Sequence, residues 1–148
     1  MTRLLTALAA FAITLAPLVA AEHHHGEETA LGTKTMGEWQ VTANRIGAWE
    51  PGKDGAAAVD LVPAQPAAKA VRVWIGTEDG KGAAKAKGEA EKEHPGGWHC
   101  HVEVPNPIAE QAQFWVTIET ASGEQLKQSF PLAAAKDEHG HGQDGHKH

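Results

Sequence analysis

His94-Pro95-Gly96-Gly97-Trp98-His99-Cys100-His101-Val102-Glu103-Val104 is a turn signal followed by strict alternation of apolar and polar side chains. Successive side chains of an extended strand leave opposite faces, so period-two patterning marks a half-buried strand. Here Trp98, Cys100, Val102 and Val104 form the apolar set, and His99, His101 and Glu103 the polar one. The same period recurs on both sides. Downstream, residues 113–120 set Phe114, Val116 and Ile118 against Trp115 and Thr117, and residues 124–132 offer Leu126, Gln128, Phe130 and Leu132. Upstream, residues 70–76 set Val71, Val73 and Ile75 against Arg72 and Trp74. Residues 56–62 carry Ala57, Val59 and Leu61, and residues 38–44 carry Trp39, Val41 and Ala43. Turn residues stand between them: Glu50-Pro51-Gly52-Lys53-Asp54-Gly55, Glu78-Asp79-Gly80, Pro105-Asn106-Pro107 and Ser122-Gly123.

Six short strands at regular spacing, with no long helical pattern, predict an all-β antiparallel sandwich. Residues 83–93 alternate small and charged side chains, which suits an exposed seventh strand at a sheet edge. Their Ala, Lys and Glu content keeps a helix as the alternative. The run GEWQVTANRIGAWEPGKDGAAAVDL (37–61), followed by AVRVWIGTEDGKGAAKAK (70–87), resembles small exported Ig-like domains of the YtkA/FixH kind. That resemblance rests on spacing and turn residues over about half the domain. It implies an Ig-like sandwich and a place beside metal or redox machinery in the cell envelope, and it carries over no functional residue.

The ends differ in composition from the middle. Residues 1–21 hold one cation, Arg3, then an apolar run closing on Val19-Ala20-Ala21, the layout of a cleaved secretory leader rather than of a membrane anchor. Export to the periplasm or the exterior is the expectation, with no membrane insertion after cleavage. Residues 22–33 are polar and read as a disordered His-rich arm, residues 34–135 as the domain, and residues 136–148 as a disordered His-rich tail without an apolar residue. Without the leader the chain keeps 12 cations against 19 carboxylates, a formal −7 that argues against nucleic acid and anionic membranes as partners. Cys100 is the single cysteine, so no internal disulfide forms. Its place in the alternation puts it among the core residues.

Ten histidines fall in three groups. His23, His24 and His25 lie in the arm, His94, His99 and His101 in the domain, and His139, His141, His146 and His148 in the tail. Imidazole is the commonest transition-metal ligand, and short His-rich tracts point to metal on composition. Cleavage after Ala21 makes His24 the third residue of the mature chain, and cleavage after Ala20 makes it His23. A free amine, two backbone amides and a third-position imidazole suit the square-planar preference of Cu(II) or Ni(II). Zn(II), which prefers a tetrahedron, would use side chains alone. In the domain, His99 and His101 share one strand face at about 7 Å spacing. His94 in the preceding turn is a candidate third ligand, with Glu93 or Glu103 as carboxylates.

Trp74 and Trp115 fall on the polar faces of their strands, which predicts an exposed tryptophan pair beside the histidines and a docking surface for an envelope partner. The alternative is that this face packs beneath residues 78–97. Catalysis is disfavoured. Ser122 and Ser129 are the only serines and neither sits in a nucleophile elbow, no phosphate-binding glycine loop precedes a helix, and no HExxH occurs. The expectation is therefore an exported protein that binds Cu, Ni or Zn. The other reading is an Ig-like accessory module of an envelope complex.

Overall fold

The computed structural model describes residues 26–133, and these contain nine strands and no helix. They are β1 (Glu28–Met36), β2 (Trp39–Ile46), β3 (Asp54–Val62), β4 (Ala70–Gly76), β5 (Ala86–Lys87), β6 (Glu89–Ala90), β7 (Gly97–Glu103), β8 (Gln113–Glu119) and β9 (Gln125–Phe130). One sheet has the order β1-β2-β3-β7-β6 and the other β5-β4-β8-β9, with every pair antiparallel. Setting β1 aside, the two orders are those of the A-B-E-D and C′-C-F-G sheets of an immunoglobulin sandwich. The expected fold class, an all-β Ig-like antiparallel sandwich, is what the chain forms.

The core lies between the sheets and is built from the inward half of each alternation. Trp39, Val41, Ala57, Val59, Trp98, Cys100 and Val102 face Val71, Val73, Phe114, Val116 and Ile118, all buried. Two tryptophans close the ends of this layer. The Trp39 indole N–H donates to the Pro66 carbonyl at 3.2 Å, and the Trp49 N–H donates to the Ala56 carbonyl at 2.9 Å. The Trp49 ring lies 5.2 Å from Phe114. Trp39 is buried and Trp49 half-buried, each with its polar edge satisfied.

Two expectations need correction. Residues 28–33, read as part of a disordered arm, belong to β1, so the folded domain starts at Glu28 rather than at residue 34. The pattern was hidden by a β-bulge. The register with β2 jumps between Ala30 and Gly32, which leaves Leu31 without an opposing residue and turns it into the core at 1% exposure. Leu31 and Met36, five residues apart, both end up buried, which no period-two template produces. Gly32 completes the bulge at φ +137°, in backbone space that a side chain disfavours.

The second correction concerns residues 83–93, which form neither a helix nor one continuous strand. Ala86 and Lys87 pair with β4, Glu89 and Ala90 pair with β7, and the chain changes sheet at Gly88. The Gly88 N–H donates to the Val71 carbonyl at 2.8 Å. The crossing is tight: a Cβ on Gly88 would come within 2.8 Å of Cys100 Sγ. Gly88→Ala should therefore lower stability by about 1–3 kcal/mol, the usual cost of overpacking a filled interior. Adding Cys100→Ala should return part of that loss, and urea melts of the two variants check it. A Gly88→Ala protein as stable as the parent would mean that the crossing is looser than described.

Candidate metal centre

The site begins with the pleat of β7. Its inward residues are fixed by the core, so His99 and His101 must leave the outer face of the five-stranded sheet. His99 is half-buried and His101 exposed. Their neighbours across β3 are Ala58 and Ala56, and these short side chains leave the imidazoles uncovered on that side. The two rings lean together, with centroids 5.1 Å apart and planes at 79°.

That separation has chemical meaning. Two imidazoles on one tetrahedral ion, with metal–nitrogen bonds of about 2.0–2.1 Å, hold their ring centroids about 5 Å apart. The orientation of each ring is adjustable by rotation about χ2, a broad and soft torsion for histidine. The surroundings favour a cation. Glu28, Asp54, Asp60, Glu89 and Glu103 occupy the same outer face, with Glu89 directly opposite His99. The strand positions that face the same way carry neither Lys nor Arg, so the face has a negative potential.

His94 is not part of this pair. The turn 94–97 folds it back over Gly97, and its Nε2 lies 3.1 Å from the Asp60 carboxylate. The Gly97 N–H closes the turn on the His94 carbonyl at 2.8 Å. The third ligand expected from His94 is thus engaged one row away. Among the described residues, no group of three or more His, Cys, Asp or Glu side chains is gathered closely enough to hold one ion. His23, His24, His139, His141, His146 and His148 lie outside the described residues, as do His25 and the expected leader.

Cys100 is fully buried on the opposite face of β7, so it cannot share an ion with the histidines flanking it. Burial, with a lesser contribution from the Glu91 carboxylate, pushes its thiol up to about 12.

The tryptophan pair is real, and its setting differs from the expectation. Trp74 and Trp115 face each other across β4 and β8, stacked at 6.1 Å and 11°. They belong to the other sheet, on the opposite side of the sandwich from His99 and His101. Nor are they a bare pair, because Trp74 is only 2% exposed. Lys85 lies over its ring at 4.8 Å and Lys127 over that of Trp115 at 5.7 Å. The two indole N–H groups donate to the Thr77 and Gly76 carbonyls at 2.8 and 3.0 Å. The loop after β4 thus covers Trp74 through Lys85, while half-buried Trp115 lies under Lys127 of β9. A cross-strand row of Lys87, Arg72, Thr117 and Lys127 beside it makes this sheet face the more basic one.

No protein-family model, no curated protein and no solved structure matches the chain. The site stands on its own geometry. One consequence is directly measurable. Only the thiolate reacts with thiol reagents, so native Cys100 should resist alkylation at pH 8 and react promptly once the chain is unfolded in guanidinium. Labelling of the native protein at the rate of a free thiol would contradict the burial described.

Proposed function

We propose that this is an exported transition-metal-binding protein that takes up Cu(II), Ni(II) or Zn(II) for buffering or delivery in the periplasm. The observation that carries the reading is the His99/His101 pair, two imidazoles at the separation one tetrahedral ion requires, on a face rich in carboxylates. The histidine tracts at 23–25 and 139–148 support it on composition, and the leader-like residues 1–21 support the compartment. No helix among the described residues is long and apolar enough to cross a membrane. The competing reading, a docking module, drew on an exposed tryptophan pair, and Trp74 is covered by the protein's own lysine and loop.

Native mass spectrometry of residues 22–148, which include all nine described strands, with one equivalent of each ion tests the reading. At least one of the three ions should be retained at one per chain. Acidification should release it, because protons compete for the imidazole lone pairs that bind metal. Retention of none of the three would overturn the proposal.

A further inference from the structure

The four-stranded sheet turns a basic notch to solvent, on the side of the sandwich away from the histidines. Its floor follows from the strand register. Thr117 on β8 lies between Arg72 on β4 and Lys127 on β9, so a short hydroxyl side chain stands between two long cationic ones. Two residues along the strands, on the same face, come the indoles of Trp74 and Trp115. The drop in size from indole to threonine makes the depression. Lys85 enters from the loop after β4 and lies over Trp74 at 4.8 Å. The cavity so enclosed measures about 380 Å³, at the small end of the range for ligand sites.

The cations around it have donors to spare. Arg72 carries five N–H groups, and among the described residues its guanidinium is bonded to Glu119 Oε2 at 3.3 Å. Lys69 shares that carboxylate, so Glu119 does not cancel the charge of Arg72. Lys85 donates to the Asp79 carbonyl at 3.0 Å, a neutral acceptor that leaves its charge and two N–H groups free. Lys127 is bound to Glu78, at 3.3 Å to the carbonyl and 3.1 Å to the carboxylate. Both partners of that ion pair are exposed, which makes it weak, and a multiply charged anion competes well for Lys127. The other carboxylate of the lining is Asp79. Its Oδ1 is occupied by its own loop, accepting from the Thr77 hydroxyl at 2.6 Å and the Lys81 N–H at 3.1 Å.

We infer that this notch binds a small polyvalent oxyanion, a phosphate or a polycarboxylate, held by Arg72, Lys85 and Lys127 above the Thr117 hydroxyl. The planar fork of Arg72 suits two oxygens of one such group, and the two ammonium groups act on the remaining oxygens as point charges. Trp74 and the loop residues Glu78 and Asp79 wall the notch, so it receives a compact group rather than an extended surface. The inference goes beyond the metal-binding reading and uses neither His99 nor His101.

The test titrates metal-free, ¹⁵N-labelled residues 22–148 with inorganic phosphate and, separately, with citrate. Sodium chloride at matched ionic strength is the reference. At least one of the two anions should give saturable shifts of the Arg72, Thr117 and Lys127 amides and of the Trp74 indole N–H. Saturation by phosphate alone assigns a phosphoryl ligand, and saturation by citrate alone a polycarboxylate. Arg72→Gln and Lys127→Gln should each weaken binding roughly 10-fold, the effect of losing one charge-assisted hydrogen bond. Should Arg72→Gln melt early through loss of its link to Glu119, Arg72→Lys keeps the charge without the fork and should bind between the two. His99→Ala/His101→Ala should bind the anion as the parent does, so loss of metal binding and loss of anion binding are read separately. Shifts no different from those in chloride, or spread without saturation over all the lysines, would overturn the site. So would an unchanged affinity in both the Arg72 and Lys127 variants.

Discussion

The burial of one face of β7 between the two sheets is the constraint from which the rest of the molecule follows. Trp98, Cys100 and Val102 are held inside, and the pleat then has no choice about His99 and His101. A slip of one residue would exchange the two sets. It would surrender about 1.5–3 kcal/mol for a residue such as Val102 and bury two imidazoles without partners, at about 1–3 kcal/mol each. The same burial shapes the neighbours. Cys100 sits so close beneath the crossing at Gly88 that no side chain fits there, and the crossing brings Glu89 alongside His99. The core, the sheet exchange and the histidine pair are one arrangement seen from three sides.

The two outer faces of the sandwich have opposite character. On the five-stranded sheet the strands present carboxylates, two histidines, Gln40, Asn44, Ile46, Val62 and small or hydroxyl-bearing residues. On the four-stranded sheet they present lysines and Arg72 around stacked indoles. There Glu119 is tied to Lys69 at 2.6 Å and to Arg72 at 3.3 Å, and these two cations hold its carboxyl below the usual range. A chain of formal charge −6 thus concentrates its negative potential on the side that carries the imidazoles. The attraction for cations and the imidazole pair therefore share one face.

Much of this was legible in the sequence. The alternations at 38–44, 56–62, 70–76, 98–104, 113–120 and 124–132 match β2, β3, β4, β7, β8 and β9 to within two residues at every end. They are legible because each strand has one buried and one solvated face. β1 escaped notice because its bulge puts Leu31 and Met36 inside at a spacing of five. At 83–93 the strand reading was right in kind, but the division between two sheets was not legible, because two residues in each are too few to establish a period. The site was legible only as far as local geometry reaches. His99 and His101 share a face by alternation alone, whereas the engagement of His94 by Asp60 depends on pairing between β3 and β7. Likewise, the outward direction of Trp74 and Trp115 was readable, but their cover is not: Lys85 returns from a loop and Lys127 from β9.

Rigidity is the other property the pair draws from the fold. The two histidines stand on a strand paired along its length with β3, and at His99 with β6 as well, over a close-packed core, so the ordering cost of those imidazoles is met on folding. Among the described residues no third ligand joins them. On the metal-binding reading, an ion held by this pair would keep its remaining positions open to water or to the ligands of an acceptor. A site of that construction suits transfer of a metal better than permanent storage, for which a closed set of ligands on rigid strands would serve.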